Sequence, residues 1–261
     1  MREHHERAIR ALRELYEPDP RYLALIIVGS VAAGAESETS DVDHILVATD
    51  EEYARRRAAE AIHYCDRDFC DYPGGYVEGK VVDRGFIEEA AARGSEPARS
   101  QFVGAKVVFS KVHGLAETVA RIPVYPDAGR AKNIRSFYAH MMVLRGYLDY
   151  GLRKGDHYVV LKAAGGVALF GGRLILAHNR ILYPYHKWFM REVWRAPEKP
   201  SGFDALLEAF VTEPTIEHCD AFCRSVIEFM DLERDPPPIG SRFVMDTEWE
   251  WRDGGGSVED W

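Results

Sequence analysis

The chain has 261 residues, 46% of them hydrophobic, which is enough for one large domain or two modest ones with a real core. Its 42 acidic side chains outnumber 33 basic ones, for a formal net charge of −9. That balance argues against a surface that tracks a polynucleotide, since a basic stripe supplies most of such affinity, and it mildly favours a small or cationic partner.

The first residues, "MREHHERAIRALREL", lack the apolar core and cleavage site of a signal peptide. Elsewhere Gly, Arg or His interrupts every apolar run short of the roughly 18 residues of a membrane span. The expectation is a cytoplasmic chain without a membrane segment. Cys65, Cys70, Cys219 and Cys223 are too few for a disulfide scaffold and read as reduced. The sets His63, Cys65, Cys70 and His218, Cys219, Cys223 contain zinc-ligand types but no paired CxxC spacing, so semi-buried thiols are the better reading.

Residues 3–17 carry Ile9, Leu12, Leu15 and Tyr16 at helical spacing, and "EPDPRY" ends that helix. "YLALIIVGS" and "DVDHILVA" then read as two short apolar strands. Residues 50–64 read as a helix capped at Asp50, with Arg55–Arg57 on a solvated face. After the turn "DYPGG", "YVEGKVVDRGFI" predicts a third strand, Ile87–Arg93 the start of a helix, and "AKVVFS" (105–110) a fourth strand. Strands alternating with helices predict a mixed α/β sheet carrying helices. From about residue 125 the pattern is helical throughout, through "AGRAKNIRSFYAHMMVLRGYLDYGLRKG", "HYVVLKAAGGVALFGGRLILAHNR", "DALLEAFV" and "IEHCDAFCRSVIEFMDLE". The expected organisation is an α/β (α+β) domain at 1–124, a C-terminal helical bundle at 125–234 and an irregular tail at 235–261.

Candidate chemistry sits between residues 26 and 49. Asp41 and Asp43, two apart in a strand, share a face, and two carboxylates that close call for a cation; hard Mg²⁺ takes carboxylate oxygens. Gly29-Ser30 directly follows a strand, where Gly permits close approach and the next helical turn offers N–H groups to a phosphate.

Val28-Gly29-Ser30, ten residues, then Asp41-Val42-Asp43 resembles the signature of the nucleotidyltransferase superfamily that includes polymerase beta and the antibiotic nucleotidyltransferases. The resemblance implies a polymerase beta-like fold and a third carboxylate on a neighbouring strand. Asp83, after two valines, is the first choice for it, with Glu78 and Asp71 as alternatives. It further implies two Mg²⁺ ions held by Asp41, Asp43 and Asp83, ATP as co-substrate, and transfer of AMP to a hydroxyl with release of pyrophosphate. "GGVALFGGRLILAHNRILYP" and "PSGFDALLEAFV" are loosely similar to the C-terminal domain of kanamycin-type aminoglycoside nucleotidyltransferases. In that family a helix early in this domain carries a base and, one turn on, a lysine. Arg145 and Asp149 stand there with the charge order reversed, which leaves the base unassigned and Asp149 a candidate for it. Lys162 and Lys187 are further candidates for the triphosphate, and Tyr183, Tyr185, His186, Lys187, Trp188 and Arg191 form an aromatic-rich stretch near an expected cleft. The expected acceptor is small, polar and cationic, aminoglycoside-like. The rivals are nucleotidylation of a protein or RNA, as in toxin–antitoxin relatives, and a non-catalytic nucleotide-binding module. The oligomeric state is open.

Overall fold

The computed structural model describes residues 1–230, 232, 238–253 and 256–261. They divide into two compact units, Met1–Val124 and Tyr125–Trp261.

The first unit is a five-stranded mixed sheet with helices on both faces. In chain order it runs α1 (Glu3–Tyr16), β1 (Tyr22–Ile27), α2 (Gly29–Ala33), β2 (Val42–Ala48), α3 (Asp50–Ala58), β3 (His63–Asp66), β4 (Val77–Val82), α4 (Arg84–Arg93), α5 (Glu96–Ser100), β5 (Lys106–Ser110) and α6 (Leu115–Arg121). The sheet order is β3-β4-β2-β1-β5. β2 and β4 are parallel, and the other neighbours are antiparallel. The near-continuous apolar runs of β1 and β2 follow from burial on both faces. Leu25, Ile27, Val42 and Leu46 pack on one side with Ala8 and Leu12 of α1. Ala24, Ile26, Ile45 and Val47 pack on the other with Ile87 and Ala90 of α4 and Leu115 and Val119 of α6.

Four expectations in this unit are corrected. The helix over 50–64 stops at Ala58, Glu60 takes a left-handed φ of 54°, and residues 63–66 turn back as the edge strand β3. Its cap is Thr49, whose side chain accepts from the Glu52 N–H, and not Asp50. The arginines of that helix also do more than face solvent. Arg55 and Arg56 both reach Glu52 at 2.8 Å, hold its buried carboxylate down to about 2, and Arg56 bonds the Tyr22 hydroxyl at 2.6 Å. The third strand also ends earlier than the pattern suggests, at Val82, because Asp83 caps the helix that follows.

The second unit is helical: α7 (Asp127–Lys154), α8 (His157–Asn179), α9 (His186–Arg195), α10 (Phe203–Thr212), α11 (Ile216–Phe229), α12 (Ile239–Asp246), α13 (Glu250–Asp253) and a 3₁₀ turn at Val258–Asp260. α8 lies at its centre, with every residue from Val167 to Ala177 buried. By length and composition alone α8 could cross a membrane, with 23 residues and a mean hydropathy of 1.7 over its most apolar window, although Gly165, Gly166, Gly171, Gly172 and Arg173 interrupt its apolar runs as expected. The physical reason for that apolarity is packing, since 72% of its most apolar window is buried among the other helices. Glycine makes the closeness possible: a Cβ on Gly171 would lie 2.5 Å from the Phe222 ring, and one on Gly172 2.3 Å from the Phe189 ring. Arg173, also buried, lies between the rings of Phe137 and Tyr183, 4.3 and 4.4 Å from their centroids, and donates to the carbonyls of Glu259 and Trp261.

The expected irregular tail is in part regular. α12 packs on α7, with the Phe243 ring tilted against His140 at 4.8 Å between centroids, and Asp246, 3% exposed, ion-paired with Arg242. Lys132 lies 3.9 Å over the Trp261 ring. Residues 235–237, 254 and 255 of that tail lie outside the described residues.

Candidate active site

β1 ends at Ile27, and the chain turns at once into the single helical turn of α2, whose first residue, Gly29, has φ of +68°. A side chain is excluded there for a second reason. A Cβ on Gly29 would lie 2.1 Å from Asp43 Oδ2, so the glycine backbone and the carboxylate occupy adjoining space. The Gly29 N–H donates to the Gln101 carbonyl at 3.4 Å and the Val28 N–H to the Asp43 carbonyl at 3.0 Å, tying the turn to the start of β2.

Asp41 directly precedes β2 and Asp43 is its second residue. Both stand at the strand's first turn of pleat, half-buried, where the apolar run has not yet closed over. The approach to Asp41 is anchored by its neighbour: the Ser40 carbonyl accepts from Tyr72 Oη at 2.7 Å and from His5 Nε2 at 3.1 Å. The Tyr76 phenol, hydrogen-bonded to Asp41, is pushed up to about 12 because its own ionisation would set an anion beside the carboxylate. His44, on the opposite face of the strand, is buried and hydrogen-bonded to Tyr64 Oη at 2.7 Å. Burial lowers its pKa to about 4, so it is a neutral packing group on the side away from the acids.

The third carboxylate of this cluster is Glu78. In the parallel β2–β4 ladder Asp43 lies opposite Glu78, and one carboxylate oxygen from each of Asp41, Asp43 and Glu78 lies within 4.8 Å of the others. Asp83, the first choice by sequence, is not brought there. It stands five residues further along, beyond the end of β4, and its side chain accepts from the Phe86 N–H at 2.7 Å as the cap of α4. The odd offset from Glu78 would in any case reverse its face in a strand. Asp71, the other alternative, is held by Arg7 at 2.8 and 3.0 Å. The parallel pairing that selects Glu78 is a long-range register, invisible in the local valine pattern around Asp83.

Reasoning from sequence also passed over Lys80. It lies two residues beyond Glu78, so on the same face of β4, and its Nζ donates to Gln101 Oε1 at 2.7 Å. Gln101 is the residue whose carbonyl receives the Gly29 N–H, so Gln101 links the Lys80 ammonium to the Gly29-Ser30 turn, on the face of β4 that also carries Glu78.

The remaining candidates belong to the second unit. The Arg145–Asp149 pair does not form: Arg145 makes a two-pronged bond to Asp220 at 2.8 and 2.9 Å, while Asp149 pairs with Arg153 at 2.9 Å. Lys162 pairs with Glu259 at 3.3 Å. Lys187 and Arg191 flank the ring of the half-exposed Trp188, and Tyr183 is core, its hydroxyl 3.0 Å from His186 Nδ1. Cys219 and Cys223 are buried free thiols, their sulfurs 4.0 Å apart on α11.

No protein-family model matches the chain, and no curated protein matches it. Among solved structures it is similar to the crystal structure of a nucleotidyltransferase-like protein from Exiguobacterium sibiricum, at 11% identity and a TM-score of 0.49, over 95% of this chain and 86% of that one. A likeness at that level of overlap decides neither fold nor chemistry.

Chemically, three carboxylates with ligand oxygens this close form an all-oxygen donor set of the kind a hard divalent cation takes. Left alone, three ionised carboxylates repel, and a cation is the direct means of offsetting them. The residues present therefore fit Mg²⁺.

Proposed function

We propose that the chain is a Mg²⁺-dependent nucleotidyltransferase, moving a nucleoside monophosphate, in the first instance AMP from ATP, to a hydroxyl of a small polar acceptor. The observation that carries this reading is the convergence of Asp41, Asp43 and Glu78 against a Gly29-Ser30 turn. Asp41, Asp43 and Glu78 would hold the metal. When bound, the metal would supply charge neutralisation for the triphosphate and a lowered pKa for the attacking hydroxyl. Gly29 lets the backbone close on Asp43 and on the phosphates without a side chain between them. Ser30 offers a hydroxyl and Lys80 an ammonium to the phosphate oxygens, the latter by leaving Gln101. Asp149, tied to Arg153, has no local feature of a base, and Lys162 and Lys187 have none of a phosphate ligand. The three carboxylates and the net charge of −9 suit a cationic acceptor such as an aminoglycoside.

The test is a pyrophosphate-release screen of the full chain with each of the four triphosphates, across antibiotics and metabolites, with labelled nucleotide followed into small molecules, protein and RNA. Turnover that needs Mg²⁺ and is lost in Asp41→Asn, Asp43→Asn and Glu78→Gln supports the reading, and label in protein or RNA reassigns the acceptor. Wild-type turnover in all three variants overturns it. Mg²⁺-independent ATP binding with no turnover on any acceptor would identify a regulatory nucleotide-binding module instead.

A further inference from the structure

On the outer side of Glu78 lies a second set of ligand-type side chains with a different chemistry. β3 pairs antiparallel with β4, so Cys65 stands directly opposite Glu78, and His63, two residues earlier on β3, shares its face. The His63 Nε2–H donates to Glu78 Oε1 at 3.1 Å, and one ligand atom each of His63, Cys65 and Glu78 lies within 4.8 Å of the other two. A tetrahedral zinc ion, with bonds of about 2.0–2.3 Å, holds its ligands roughly 3.3–3.8 Å apart. The existing geometry is thus within small rotations of that arrangement. Both β3 residues are exposed side chains free to make them, and Cys65 is an unbridged thiol.

We infer that His63, Cys65 and Glu78 form a site for a thiophilic divalent cation of the zinc type, on the edge of the sheet beside the three-carboxylate cluster and sharing Glu78 with it. A surface ion pair would account for His63 and Glu78 alone, but leaves unexplained a thiol within 4.8 Å of both. The donor set of one nitrogen, one sulfur and one oxygen selects for Zn²⁺ or Co²⁺ and against Mg²⁺, which does not favour sulfur. Three protein ligands leave a fourth position to solvent, the open form of such sites. Cys70, the other thiol of this region, is not among the three. Because Glu78 belongs to both clusters, occupation of the edge site draws on a carboxylate that the catalytic reading above also uses. The edge site itself does not depend on that reading.

The experiment is titration of the reduced, metal-free full chain with Co²⁺, followed by displacement with Zn²⁺. The expected result is a sulfur-to-cobalt charge-transfer band in the near ultraviolet that saturates at one equivalent and is abolished by Zn²⁺ but not by Mg²⁺. Cys65→Ser should lose the band, and His63→Ala should weaken Co²⁺ binding on the order of 10–100-fold or more, since a lost ligand costs at least as much as a lost outer partner. Glu78→Gln should weaken it as well, while Cys70→Ser and Asp41→Asn should keep it. Circular dichroism verifies that each variant is folded. A band that is absent at saturating Co²⁺, or that survives Cys65→Ser, overturns the site. Loss of pyrophosphate release in Asp41→Asn with the band retained separates the two clusters, so that failure of either reading leaves the other standing.

Discussion

Gly29 and Asp43 constrain one another through a single missing methyl group. Gly29→Ala adds a Cβ 2.1 Å from Asp43 Oδ2 and at a φ of +68°. It should cost about 1–3 kcal/mol of stability and, by displacing the carboxylate, reduce turnover more steeply than its effect on folding explains. Urea unfolding and kcat measured on the same preparation check this. Asp83 and Glu78 make the complementary pair. Asp83→Asn keeps an acceptor at the cap, so it should leave both turnover and stability near wild type, and Asp83→Ala should cost about 0.5–2 kcal/mol with turnover retained. Glu78→Gln should abolish turnover with little change in melting temperature. Turnover lost in Asp83→Asn but retained in Glu78→Gln would put the third carboxylate back on Asp83. The two aspartates of the opening motif were legible in the sequence because their spacing is local. Glu78 was legible only as an alternative, because its place opposite Asp43 arises from a pairing between strands 35 residues apart.

Among the elements, β2 carries a charge-sensitive residue on each face. His44, buried against Tyr64, has its pKa lowered to about 4 by burial. A folded pKa below the unfolded value of about 6.5 means that the unfolded chain binds the proton first as pH falls. Its stability contribution is therefore complete above about pH 6.5 and is lost progressively down to about pH 4. Between pH 7 and roughly pH 4.5 the loss from this one group is about 2–3 kcal/mol. Urea midpoints at the two pH values should converge in His44→Gln relative to wild type. α8 presents the analogous constraint in shape. Gly172→Val forces atoms into the Phe189 ring, and overpacking of this kind costs about 1–3 kcal/mol, readable as a lowered thermal midpoint. The long helices α7, α8 and α11 were legible in the sequence because 3.6-residue periodicity is written locally. β3 and α12 were not, since a four-residue edge strand and a helix of eight are too short to show a period and are stabilised by β4 and by α7.

In the molecule as a whole, each unit closes its own core: the two faces of the sheet in residues 1–124, and the α8-centred cluster in residues 125–261. The fragment 1–124 should accordingly fold alone, with a cooperative thermal transition and Mg²⁺-sensitive stability, followed by circular dichroism with and without the ion. A non-cooperative melt would show that this core is insufficient by itself. The sequence by itself determined the class of the fold, the position of the change from mixed to helical pattern, and the Gly-Ser and Asp-x-Asp elements, since all of these are properties of neighbours along the chain. Only the tertiary structure decided which third carboxylate joins the pair, which lysine approaches the turn, and which partners Arg145 and Asp149 take. Those outcomes depend on strand register and helix packing between residues far apart in sequence, where burial and pairing, rather than local spacing, set the energy.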